Sequence, residues 1–208
     1  MPTLWLATQN QKKAVELRRI LPPGNEVRSL GEVPESSSFD VVEDAPDFAG
    51  NARKKARACA TWLSKHGQVL TTGDLVLADD SGLVVDALGG APGVHSARYA
   101  GHGASDQDRI TKLLGELKDQ PRPWTARFAC CLVAVNGKGE ECFLHEAYCE
   151  GEIALSPRGS AGFGYDPVFL PQAHAGKRSF AELTPEEKDA ISHRGQALAA
   201  LSEHLTGR

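Results

Sequence analysis

Apolar residues fall in short runs along the chain, and their spacing switches between a period of two and a period near 3.6, as strands and helices require. Residues 3–7 (TLWLA) predict a short buried strand. A helix is expected over 11–21, stopped by Pro22, Pro23 and Gly24. Residues 31–46 are polar and acidic and predict a loop, followed by a long helix over 47–66 that Gly67 ends. Residues 75–78 and 83–88 read as two strands flanking an acidic pair, Asp79 and Asp80. A glycine-rich loop over 89–103 leads to Ser105 and Asp108, spaced as a capping box that opens a helix through Lys118.

Pro121 and Pro123 separate that helix from two alternating runs, 124–136 and 141–150, around the turn sequence NGKGE. They predict an antiparallel hairpin, read as an insertion. In the tail, Thr184, Pro185, Glu186 and Glu187 combine a capping box with proline at the first helical position, and helix is expected to about Leu205 with a break near Ser192 and His193. Alternating strand and helix patterns favour an α/β fold over a bundle or a sandwich. There is no internal repeat, low-complexity tract or linker, so residues 1–208 read as a single domain.

Composition narrows the function classes. With 41% hydrophobic and 24% charged residues the chain reads as an ordinary globular protein. A formal net charge of −4 argues against a surface devoted to nucleic acid or to an anionic membrane, while leaving room for a local basic pocket. The apolar patch near the N-terminus is too short for a signal-peptide core and no later run is long enough to span a bilayer, so a cytoplasmic location is expected. The cysteines (Cys59, Cys130, Cys131, Cys142, Cys149) are odd in number and lack CxxC spacing, which predicts reduced thiols and no zinc site.

Four stretches can carry chemistry. In LATQNQKK (6–13) a strand enters a helix N-terminus through Thr8, Gln9, Asn10 and Gln11, with Lys12 and Lys13 in the first turn. Backbone N–H groups, a hydroxyl, an amide and an ammonium make a phosphate cradle, although Asn10 read alone could simply cap the helix above solvated lysines. In ADDSGL (78–83), strand alternation sends Asp79 and Asp80 to opposite faces, so they do not form a proton-sharing dyad. One is expected to be structural; the other can bind Mg²⁺ or take a proton from water, with Glu43, Asp44 and Asp47 as further oxygen donors. A solvated turn is the alternative.

PRGSAGFGYDPVF (157–169) places small residues around Phe163, Gly164, Tyr165 and Asp166. Glycine permits close approach of a ligand and an aromatic ring can stack a base, unless the stretch is only a turn before a core strand. EEKDAISHRG (186–195) offers Lys188, His193 and Arg194 near helix ends, suited to phosphate or carbonyl oxygens or simply to solvent. Serine hydrolysis through Ser81 and His193 lacks a nucleophile elbow around Ser81.

Taken in order, LATQNQKK, FAGNARKKA, ADDSGLVVDALGGAPGVHSARYAG, PRGSAGFGYDPVFLP and FAELTPEEKDAISHRGQAL resemble the inosine triphosphate pyrophosphatase family over nearly the whole chain. The resemblance implies an elongated mixed sheet flanked by helices, two lobes with the active-site cleft between them, the second including the hairpin insertion around 124–150, and a homodimer. It implies Mg²⁺-dependent hydrolysis of ITP, dITP or XTP to the monophosphate and pyrophosphate. By position, Thr8, Gln9, Asn10, Gln11, Lys12 and Lys13 resemble the triphosphate loop, with Lys55 adding positive charge. Asp80 matches the catalytic and metal-binding acid and Ser81 a substrate contact. Phe163, Gly164, Tyr165 and Asp166 resemble the base-binding turn, completed by Lys188, His193 and Arg194. The chain departs from the family where Gly50, Asn51 and Ala52 replace Glu-Asn-Ala, and where residues 45–48 read APDF rather than Gly-x-Thr-Phe. Glu43 is then the candidate second metal ligand. A non-catalytic nucleotide-binding module and a pyrophosphatase for modified pyrimidines are the competing readings.

Overall fold

The computed structural model describes residues 2–21, 24–174 and 177–207. Among them are six strands, β1 (Thr3–Leu6), β2 (Glu26–Ser29), β3 (Leu75–Val85), β4 (Thr125–Asn136), β5 (Glu141–Ile153) and β6 (Phe169–Pro171). The helices are α1 (Gln11–Ile20), α2 (Phe48–Lys65), α3 (Asp106–Leu117), α4 (Pro185–Ile191) and α5 (His193–Thr206). The strands form one sheet in the order β2-β1-β3-β4-β5-β6. β1 pairs in parallel with β2 and β3, while β5 and β6 are antiparallel, so the sheet is mixed and the fold is α/β.

Most local expectations are met through the contacts that motivated them. Ser105 Oγ accepts from Asp108 N at 3.2 Å while Asp108 Oδ2 accepts from Ser105 N at 2.9 Å, closing the box at the start of α3. Thr184 and Glu187 close the same box on α4 at 3.2 and 2.8 Å. α2 ends where expected, with His66 as its cap and Gly67 at φ +76°. The connection from β4 to β5 is too short for a parallel crossover, and Gly139 N donates to Asn136 O at 2.9 Å across it, so the two make the expected hairpin. The break in the tail also falls in place, between Ile191 and His193. The expected stop of α1 at Pro22 and Pro23 lies outside the described residues.

Two expectations change. The acidic pair does not separate two strands: β3 runs unbroken through Asp79 and Asp80, and residues 86–88 form a 3₁₀ turn. Lysines neutralise both carboxylates, so the strand continues through them without stranding a buried charge. β2 was not anticipated, and β6 only as the core strand that the 157–169 turn could precede; β2 (EVRS) is a polar edge strand with only Ser29 buried, and β6 is three residues long, so neither carries a periodic pattern.

By their packing the residues form two compact units: Met1–Asp80 with Cys130–Glu146 and Ala197–Arg208, and Ser81–Ala129 with Ala147–Gln196. In the first, α2 turns Ala49, Ala52, Ala56, Cys59, Ala60 and Leu63 onto a core with Trp5, Leu30, Val76 and Val133. Asn51 and Lys55 are buried on the same helix, two polar side chains where an amphipathic helix would place apolar ones. In the second, Leu83, Ile110, Leu113, Leu117, Trp124 and Phe128 pack with Ile153, Phe169 and Phe180. Each such fully buried side chain contributes about 1.5–3 kcal/mol of burial free energy. No helix of the described residues is long and apolar enough to cross a membrane.

Candidate active site

The first unit brings the acidic pair to two lysines. Asp79 and Asp80 are each 6% exposed. Lys13 Nζ, from the first turn of α1, donates to Asp79 Oδ2 at 3.0 Å, and Lys55 Nζ, from α2, donates to Asp80 Oδ1 at 2.8 Å. Strand alternation thus sends adjacent carboxylates to separate cations, as expected for residues that do not share a proton. Asn51 Nδ2 donates to the other Asp80 oxygen at 3.2 Å, and Asn51 Oδ1 accepts from Ala45 N at 3.0 Å. Asn51 and Lys55 lie four residues apart, one turn of α2, so a single helix face grips both oxygens of Asp80. Glu43 Oε2 is 3.5 Å from Lys55 Nζ. Burial works against the Lys55 charge, but Asp80, then Asp79 and Glu43, outweigh it and hold the ammonium pKa above the ordinary lysine value.

The polar turn before α1 is tied down. Asn10 Oδ1 accepts from Lys12 N at 3.0 Å and Lys13 N at 3.3 Å, so Asn10 is the helix cap and two of the backbone donors at this helix end are in use. Asn10 N donates to Thr8 Oγ1 at 3.1 Å, and Thr8 O accepts from Ser29 Oγ at 2.9 Å. The Gln9 side chain turns to the Ser36 and Phe39 carbonyls. Gln11 and Lys12 are exposed, whereas Lys13 is paired with Asp79 rather than solvated. Ser81 follows Asp80 in β3 and is half-buried.

The second unit gathers the aromatic turn and the tail. Gly162 lies at φ +75°, and a Cβ there would meet Asp166 Oδ2 at 2.0 Å, so only glycine allows that carboxylate to fold back over the turn. Asp166 Oδ2 accepts from Phe163 N at 2.9 Å and from Lys188 Nζ at 2.7 Å. Lys188 Nζ and Arg194 Cζ stand 5.1 and 5.4 Å from the centre of the half-buried Phe163 ring. His193 is buried and stacked on Phe128, ring centres 4.8 Å apart. Gly164 N donates to Asp106 Oδ2 at 2.8 Å and Tyr165 Oη to Ser96 O at 3.0 Å. Of the expected site residues, this unit brings together Phe163, Gly164, Tyr165, Asp166, Lys188, His193 and Arg194; the first brings together Lys13, Lys55, Asp80 and Glu43 around the acidic pair.

Sequence reasoning missed Asn51, Asp106 and Ser96. Asn51 had a readable signal, a polar residue one turn before Lys55 in an otherwise apolar stripe. Asp106 and Ser96 had none, because each acts on residues more than fifty positions away.

The Ham1 family model matches residues 4–204. The dITP/XTP pyrophosphatase of Shouchella clausii is 43% identical over all of this chain and 98% of its own length. That of Geobacillus kaustophilus is 48% identical over 98% of this chain and 94% of its own. A HAM1 protein structure from Coxiella burnetii superposes with a TM-score of 0.84 at 40% identity, covering 100% of both chains. The nucleoside-triphosphatase / dITP/XTP pyrophosphatase of Mycobacterium abscessus gives 0.69 at 44% identity over 96% of this chain and 98% of that one. With near-complete matches in both sequence and structure, the chain belongs to the Ham1 family.

Proposed function

We propose that this chain hydrolyses the non-standard purine nucleoside triphosphates ITP, dITP and XTP to the nucleoside monophosphate and pyrophosphate. The observation that carries the reading is the buried Asp80 carboxylate gripped by Lys55 and Asn51, in a chain 43–48% identical to the dITP/XTP pyrophosphatases described above.

A nucleoside triphosphate carries about four negative charges, so its hydrolysis is mainly a matter of neutralising charge and placing water in line with the leaving pyrophosphate. Asp80, oriented through both oxygens, takes the proton of the attacking water. Lys13 and Lys55 supply fixed positive charge, and Thr8 presents its hydroxyl at the α1 turn. Phe163, flanked by Lys188 and Arg194, stacks the base. Arg194, His193 and Asp166 read the 6-keto group and N1–H; adenine, with a 6-amino group, leaves these buried groups unpaired and is rejected.

The reading includes Mg²⁺. Among the described residues no three His, Cys, Asp or Glu side chains could hold a metal by themselves. Glu43 and Asp80, however, lie close enough to share one cation, Lys55 Nζ, at 3.5 and 2.8 Å. Two carboxylates fit Mg²⁺ that arrives with phosphate oxygens and retains its waters. Held by Asp80 and Glu43 beside Lys55, Mg²⁺ would supply further charge neutralisation of the triphosphate. The reading also takes the protein as a cytoplasmic homodimer that binds neither nucleic acid nor membrane, with the oligomeric state checked by light scattering.

The test is hydrolysis of ITP, dITP, XTP, GTP, ATP and dTTP with Mg²⁺ and with EDTA, products resolved by ion exchange. Monophosphate and pyrophosphate from ITP, dITP or XTP only with metal, with ATP and GTP nearly untouched, is the expected result. Release of inorganic phosphate would overturn the reaction, preferential dTTP turnover would indicate a pyrimidine enzyme, and binding without turnover would leave a nucleotide-binding module.

A further inference from the structure

The turn assigned to the base is held from outside by a residue that has no part in the reaction. Asp106 is the first residue of α3, but the capping box of that helix is closed by Asp108, so helix capping does not account for the Asp106 carboxylate. Its Oδ2 accepts the Gly164 N–H at 2.8 Å across 58 residues of sequence, and its Oδ1 faces the Arg109 guanidinium. Arg109 also donates to Ala97 O, inside the 3₁₀ segment Gly93–Arg98. The neighbouring carbonyl of that segment, Ser96 O, receives the Tyr165 hydroxyl at 3.0 Å. Ser96 Oγ in turn accepts from Leu83 N at 2.9 Å and donates to Gly93 O at 2.6 Å, so the segment is itself anchored.

Two consecutive residues of the aromatic turn are therefore tied to one rigid block. Gly164 is at φ +63°, a conformation open to glycine, and a Cβ placed there would meet open space, so no side-chain packing at this position holds the backbone. Asp166 holds Phe163 from within the turn, its Oδ2 accepting from Phe163 N at 2.9 Å and its N–H donating to Phe163 O at 3.3 Å, and the charge-assisted bond from Gly164 N to Asp106 ties the same peptide to α3 from outside.

We propose that Asp106 is a positioning residue for base recognition: by holding the Gly164 N–H it sets the Phe163 ring against the base. The proposal rests on the function proposed above. Loss of the tie weakens substrate binding and leaves the chemical step at Asp80 alone.

The experiment compares wild type with Asp106→Ala, Asp106→Asn and Asp108→Ala, measuring KM and kcat for XTP and dITP with Mg²⁺, thermal midpoints, and hydrogen exchange of the Gly164 amide. In Asp106→Ala, KM rises about five- to tenfold, the equivalent of one hydrogen bond, while kcat stays within about twofold. Asp106→Asn, which keeps an oxygen for the Gly164 N–H, recovers most of the affinity. Asp108→Ala removes the capping box and lowers the midpoint without moving KM. Wild-type KM in Asp106→Ala, or an equal rise in Asp108→Ala, overturns the proposal. The exchange measurement needs no turnover: protection of Gly164 is lost in Asp106→Ala and kept in Asp108→Ala, and unchanged protection in Asp106→Ala overturns the clamp. A wild type that hydrolyses no triphosphate would sink the proposed function and leave the exchange result to decide the tie.

Discussion

Lys55 Nζ lies 2.8 Å from Asp80 Oδ1, and both residues are buried. Such a pair adds little net stability over apolar residues of the same volume, but removing one partner leaves an uncompensated buried charge. Lys55→Met is expected to lower the unfolding free energy by about 3–5 kcal/mol in urea titrations, with Lys55→Met/Asp80→Asn costing less than the sum of the singles. The folded-state pKa of Lys55 is raised, so the contribution of its charge is complete below the ordinary lysine value of 10.5 and is lost only as pH climbs past it. The gap between wild type and Lys55→Met should therefore hold through neutral pH and close only in alkaline solution.

Asp80→Asn keeps the shape of the side chain and loses the base. Turnover of XTP is expected to fall by about 10²–10⁴-fold, with nucleotide still bound in calorimetry and a near wild-type circular dichroism spectrum. Asp79→Asn, which loosens the link to Lys13, should cost less turnover than Asp80→Asn. Unchanged turnover in Asp80→Asn would exclude Asp80 as the base.

At Gly195, a Cβ would come within 1.7 Å of Asp189 O, a backbone atom that cannot rotate away. Gly195→Ala must spread the α4–α5 junction that carries His193 and Arg194. An overpacking cost of about 1–3 kcal/mol or more is expected in thermal unfolding, together with a raised KM. Full stability in this variant would show that the junction yields.

All five cysteines are thiols, four of them buried and Cys142 half-buried. Burial pushes the thiols of Cys59, Cys131 and Cys149 up to about 12, far from their reactive thiolates at neutral pH. Ellman's reagent should label Cys142 first in the native protein and all five cysteines after denaturation. Fast labelling of Cys59 would contradict the packing of α2.

The Arg178 guanidinium, with the Thr184 N–H beside it, holds the Glu187 carboxyl down at about 2 against an ordinary value of 4.5. A depressed carboxylate pKa stabilises the fold above the unfolded-state value and loses that effect as pH falls through the window to about 2. The difference in thermal midpoint between wild type and Glu187→Gln is thus expected to be constant above about pH 5 and to shrink below it. A gap that persists unchanged into acid would show that it does not come from the Arg178–Glu187 charge pair.

Much of this protein is written in local patterns. The boxes at Ser105 and Thr184, the 136–141 hairpin, the stop at Gly67 and the break before His193 all rest on groups a few residues apart, whose hydrogen bonds form the same way in any tertiary setting. Alternation likewise separated Asp79 from Asp80 before their partners were known. The ordered blocks pointed to the family for the same reason, since each is a short stretch with its chemistry intact.

Tertiary structure decided the rest. β2 and β6 exist because neighbouring strands offer them a ladder, not because EVRS or FLP carries a strand pattern. β3 runs through two carboxylates because Lys13, 66 residues away from Asp79, and Lys55, 25 residues away from Asp80, arrive to neutralise them. Asn51 and Asp106 became site residues only when packing set them against Asp80 and Gly164. Charge compensation over such separations depends on where whole elements come to rest, and no periodicity within one element encodes it.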